Sequence, residues 1–130
     1  MQLAQVALCL RRSAMPCLSA MAGGYFSPIS GAPKARIVES VGLFVLAFGT
    51  TYGGTTSPDG WHSCALGNYF DWTPAASTQA ANGRLLDSAG EITAARRIND
   101  GIIAYKKRSM YYGQYVGGDV IWQWSQVATN

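Results

Sequence analysis

The most continuous run of apolar and small residues in the chain, Val41 to Phe48, lies within PKARIVESVGLFVLAFGTTYGG at residues 33–54. Lys34 and Arg36 open this stretch and the pair Gly53-Gly54 closes it. Pro33 suits the first position of a helix, where its missing N–H costs nothing. Gly53 suits the left-handed residue that ends one. The pattern predicts a transmembrane helix over 33–53. Residues 34–52 as a helix span about 28 Å, close to the roughly 20 apolar residues that a bilayer core requires. Lys34 and Arg36 are expected to snorkel to the near headgroups. Gly42 and Gly49, two helical turns apart, share one face and are the expected helix-packing residues. Glu39 is the objection, because it falls inside the span and needs a partner there. The rival pattern over the same residues is a buried strand pair broken at Gly42 or Gly49, since Val and Phe are good strand formers.

A second periodic segment follows a turn-rich one. Residues 54–87 read as an aromatic-rich loop with turns at Ser57-Pro58-Asp59-Gly60 and Asn82-Gly83. Trp61, Tyr69, Phe70 and Trp72 sit within it and suit an interfacial belt or a small core. Ser88 and Glu91 then form an S-x-x-E capping box. Ile98, Ile102, Tyr105 and Tyr112 recur at helical spacing, and Gly113 supplies a stop. These features predict an amphipathic helix over 89–112, too polar to cross a membrane. The tail alternates in part, with Val120, Trp122 and Trp124 on one side and Ile121 and Gln123 on the other, which reads as a short strand or an extended strip. Trp122 and Trp124 need a covering surface, so they are expected partner contacts.

Residues 1–32 contain Arg11 and Arg12 and no acid, the mark of an organelle transit peptide. The arm GGYFSPISGAP is too rich in Gly and Pro for a regular helix. Composition supports a covered surface: 48% of the 130 residues are hydrophobic and only 13% are charged, against about 25% in ordinary soluble domains. The three cysteines Cys9, Cys17 and Cys64 make no disulfide framework.

Little catalytic chemistry can be named. His62 and Cys64 form an H-x-C, but structural zinc takes four ligands, and the remaining cysteines lie far upstream. With one histidine in the chain, a Cys–His nucleophile pair lacks its orienting group. There is no phosphate loop, no paired carboxylate constellation and no G-x-S-x-G, so neither a catalytic residue, a metal site nor a cofactor is expected. The segment YKKRSMYYGQY places Lys106, Lys107 and Arg108 among tyrosines. Such a patch suits anionic lipid headgroups such as cardiolipin, or RNA, and a net charge of +3 is low for a nucleic-acid partner. The fragments GTTYGG and SPDGWHSC are similar to parts of phage tail collar modules, which carry a PxGW-x-x-C element and a GTTYG element. Here the two stand in the opposite order and the downstream pattern is missing. The resemblance assigns no family and supplies only the alternative of a virion part.

The sequence thus predicts a mainly α, single-pass membrane protein: a leader-like, extended arm over 1–32, a transmembrane helix over 33–53, and a loop, amphipathic helix and irregular tail over 54–130. The expected function is that of an accessory structural subunit, not an enzyme, in a mitochondrial inner-membrane complex such as the respiratory chain or ATP synthase. Its expected partners are neighbouring subunits and membrane lipids. Lys34 and Arg36 place its N-terminus on the matrix side. The alternatives are a soluble β-rich interaction or virion structural module, and an organellar ribosomal or RNA-binding protein using Arg96, Arg97 and the Lys106–Arg108 triplet.

Overall fold

The apolar run is a strand, not a helix. A computed structural model describes residues 8–9, 15–20 and 26–129, and the described residues form twelve strands and no helix. In chain order these are β1 (Leu8–Cys9), β2 (Met15–Ala20), β3 (Phe26–Pro28), β4 (Lys34–Ala35), β5 (Ile37–Val41) and β6 (Phe44–Tyr52). They continue as β7 (Thr55–Ser63), β8 (Ala81–Arg84), β9 (Ile92–Ile98), β10 (Gly101–Lys106), β11 (Ser109–Gly117) and β12 (Ile121–Thr129). The arginine pair Arg11-Arg12 and the glycine pair Gly23-Gly24 lie outside the described residues.

Two antiparallel sheets result. One runs β1-β2-β4-β6-β7-β8, with β3 also on β2 and β5 also on β6. The other is the meander β12-β11-β10-β9. Glycine sets the two hairpins around β6. Val41 pairs with Phe44 across Gly42-Leu43, with Gly42 at φ 57°, as a turn with glycine in its first central position requires. Tyr52 pairs with Thr55 across Gly53-Gly54, both left-handed, the arrangement that matches the twist of the flanking strands.

β6 is buried on both faces, which explains its unbroken apolar sequence. Phe44, Leu46 and Phe48 point into a core shared with Trp61 and with Ile92, Ile102, Tyr111 and Trp122 of the meander. Val45 and Ala47 point the other way, against Ile29, Ala35, Cys64 and Trp72. The segment between β7 and β8, which carries Trp72, therefore covers the outer face of the first sheet. Alternation along one strand, rather than a helical stripe, distributes these side chains between two cores.

The predicted transmembrane helix over 33–53 is thus replaced by β4, β5, the Gly42-Leu43 turn and β6. No helix among the described residues is long and apolar enough to cross a membrane. The single-pass topology, the inner-membrane location with a matrix-side N-terminus, and the helical subunit of a respiratory-chain or ATP synthase complex lose the element on which they rested. The helix predicted over 89–112 is replaced by β9, β10 and the first part of β11. Ser88 makes no capping box: its hydroxyl meets the Ser109 hydroxyl at 2.5 Å, and Glu91 pairs with Arg36. Gly42 and Gly49 form no packing face. Gly42 makes a turn, and Gly49, at φ 64°, makes a bulge between Phe48 and Thr50. A Cβ at Gly49 would stand 3.3 Å from the Arg36 side chain. Ser57-Pro58-Asp59-Gly60 and Asn82-Gly83 lie within β7 and β8 instead of forming turns.

Candidate functional site

The hairpin end of the sandwich carries an aromatic cleft of about 170 Å³. Its wall is Phe44 at the start of β6, Tyr115 on β11 and Trp122 on β12. The Phe44 ring meets Tyr115 at 4.8 Å between centroids and Trp122 edge-on at 5.2 Å, both favourable geometries. Leu43 and Leu66 stand at the rim with 64% and 45% of their surfaces exposed. The Gly67 N–H donates to the Leu43 carbonyl at 3.0 Å and so fixes the two rim segments together. Asp100, in the β9–β10 turn, is the one charged residue of the lining.

Polar contacts hold this wall in place. The Tyr115 hydroxyl donates to Gln79 Oε1 at 2.9 Å, and Gln79 Nε2 donates to the Gly118 carbonyl at 3.1 Å. Gln79, Asn99 and Ile121 have φ of 65°, 51° and 66°. All three neighbour the cleft: Gln79 bonds its wall, Asn99 precedes Asp100, and Ile121 precedes Trp122. A β-branched residue such as Ile121 is a true outlier there, and left-handed non-glycine residues gather at binding sites. The Trp122 indole N–H is buried and donates to no group among the described residues.

A larger depression of about 520 Å³ between Pro58, Asp59, Arg84 and Glu91 is charged, but its charges are already paired. Arg84 grips Asp59 through Nε at 2.7 Å and an NH2 group at 3.1 Å. That grip holds the Asp59 carboxyl below its ordinary 3.8. Glu91 is taken by Arg36. Behind this surface the buried Lys106 ammonium donates to the carbonyls of Leu85 and Ser88. Burial lowers its pKa. These contacts anchor the β8–β9 connection to the meander.

His62 and Cys64 are core residues. His62 Nε2 lies 2.7 Å from the Trp72 carbonyl, which can only accept, so the ring proton sits there. His62 Nδ1 is buried without a partner, and burial depresses the pKa. The Cys64 thiol accepts from the Val45 N–H, donates to the Ala65 carbonyl, and is pushed up by burial to about 11. No group of three or more potential metal ligands occurs among the described residues.

The structure separates the residues expected to act together. Lys106 points inward, whereas Lys107 and Arg108 are exposed in the β10–β11 turn. Lys34 is exposed on β4, and Arg36 is engaged by Glu91. Arg96 and Arg97 are exposed on β9, where the Arg97 N–H donates to Glu39 at 3.1 Å. Of the expected contact residues only Trp122 reaches the cleft; Trp124 packs instead on Phe48 and Trp61. Leu43, Phe44, Leu66, Asp100 and Tyr115 carry no sequence motif. The available signal was N-D-G at Asn99–Gly101 between Ile98 and Ile102, a hairpin pattern that brings Asp100 to this end. Comparison of the sequence with protein-family models and with curated proteins finds no match.

Proposed function

We propose that the chain is a β-sandwich interaction module that binds a partner protein at the hairpin end and catalyses nothing. The observation that carries this reading is the aromatic cleft, rimmed by exposed Leu43 and Leu66 and set among three left-handed non-glycine residues. Small-molecule sites are larger, about 300–1,000 Å³, so a cleft of this size with exposed apolar rims suits a side chain of a protein partner better than a free ligand. The cleft has the size of one large apolar side chain, and Asp100 suits a basic group beside it. A photo-crosslinking residue at position 43 or 66 is expected to capture one and the same protein in cells that make the chain natively. Capture should disappear with Asp100→Lys and be absent from position 93 on β9. Equal capture from all three positions would remove the cleft from the account.

A virion part is a second reading. Its support is that the fragments similar to phage tail collar modules, at residues 49–54 and 57–64, form one continuous hairpin from β6 through β7. Mass spectrometry of purified particles tests it: the chain should be present at a fixed copy number through repeated purification. Loss of the chain on purification would remove this reading and leave the first intact.

A further inference from the structure

The meander has two edges among the described residues, and they are built differently. β9 carries Arg96 and Arg97, and the Arg97 N–H is capped by the Glu39 carboxylate. Charges on an edge and occupied edge donors are devices that prevent strand addition. β12 has neither. Its nine residues, IWQWSQVAT, contain no charge and no proline. Gln123, Ser125, Gln126, Val127 and Ala128 are exposed. The edge of the other sheet at β8 is only four residues long.

We infer that β12 is the contact through which two copies of this chain pair, edge to edge and antiparallel, into one sheet. The regular part of the ladder sets the register. Residues 122–126 pair with β11 without interruption, and the extra residue Val127 breaks the register beyond them. A two-fold axis through Trp124 uses just that regular part. It sets Gln123 of one copy opposite Ser125 of the other, and Trp122 opposite Gln126.

Every facing pair is neutral, so two chains of net charge +3 meet without like charges in contact. Paired side chains of this kind stabilise a sheet. The arrangement is self-complementary, as a two-fold interface requires. A partner strand of other sequence gains the same main-chain bonds but not this register. The inference stands apart from the cleft at the hairpin end.

Light scattering on the full chain should give twice the 13.9 kDa chain mass at high micromolar concentration. The double variant Gln123→Lys/Ser125→Lys sets lysine against lysine in the pair and should be a monomer with an unchanged far-UV spectrum. The counterpart Gln123→Glu/Ser125→Glu should also be a monomer. An equimolar mixture of the two should recover the doubled mass. As a second measurement, Trp124→Cys on a Cys9→Ser/Cys17→Ser background should form a disulfide-linked dimer on mild oxidation, whereas Thr93→Cys on β9 should not. A monomeric wild-type chain, doubly charged variants that remain dimeric, or a mixture that stays monomeric would each overturn the inference.

Discussion

Gly113 lies directly opposite Trp124 across the β11–β12 pair, and a Cβ at position 113 would stand 2.6 Å from the indole ring. The missing side chain is therefore a packing requirement, because it lets the Trp124 ring lie across the neighbouring strand and reach Phe48 and Trp61. Gly83 stands in the same relation to Trp61, its direct cross-strand partner. Gly113→Ala should destabilise the fold by about 1–3 kcal/mol, the range for an overpacked core site. Urea unfolding followed by tryptophan fluorescence measures it. An unchanged midpoint would show that the indole does not rest on position 113.

His62 gives the stability a pH dependence. Its folded pKa lies below the ordinary 6.5, chiefly because burial disfavours the charged ring. Protonation would also add a proton at Nδ1, which faces no acceptor. Below 6.5 the unfolded chain takes up this proton before the folded one does. The stability contribution is therefore complete above 6.5 and declines as pH falls from 6.5 towards the folded pKa. Thermal melts across this window should show the decline in the wild type, and His62→Gln should lack it.

Cys64 should be unreactive in the folded chain. Its thiol is fully buried and its pKa stands at about 11, whereas thiolate is the reactive form. In a Cys9→Ser/Cys17→Ser variant, Ellman's reagent should modify the remaining thiol only as fast as the chain opens. Immediate modification under native conditions would contradict the buried placement beside Val45 and Ala65.

Lys106 is a structural cation. Its ammonium satisfies the carbonyls of Leu85 and Ser88, and hydrogen bonds to charged groups contribute about 1.5–3 kcal/mol. Lys106→Met keeps the aliphatic stem and leaves both carbonyls without that donor. It should cost a similar amount and speed amide exchange in the connection between β8 and β9. Lys107→Met, in the exposed turn, should do neither.

The sequence made some of this fold legible and concealed the rest for identifiable reasons. The run around β6 looked like a membrane span because a strand buried on both faces carries no alternation: Val45 and Ala47 serve one core while Leu46 and Phe48 serve the other. Periodicity alone does not separate a buried strand from a buried helix in such a run. Its shortness favours a strand, but the flanking cations and the Pro33 and Gly53 caps outweigh that in the membrane reading. The rival reading as a strand pair broken at Gly42 is the arrangement found. Helical spacing at Ile98, Ile102, Tyr105 and Tyr112 arose from residues spread over β9, β10 and β11, and the hairpin signal Asn99-Asp100-Gly101 between the first two outweighs it. The S-x-x-E at Ser88 reads as a cap only if a helix follows. The tail expected to be irregular is the nine-residue strand β12. Trp122 and Trp124 share a core-facing side as their spacing suggested, but Val120 lies outside the strand and exposed, and Ile121 is buried together with Trp122. The cleft was not legible, because Leu43, Leu66, Asp100 and Tyr115 meet only through the pairing of strands far apart in sequence.

Residues 44–52 form the central strand of a β-sandwich. Nuclear Overhauser effects on the folded chain test this placement most directly. Cross-strand contacts should tie Ala47 both to Val38 and to His62, its two register partners, with strand-type chemical shifts from Phe44 to Tyr52. Contacts between residues three and four apart through Val41 to Thr51, with helical shifts and no link from Ala47 to His62, would contradict it.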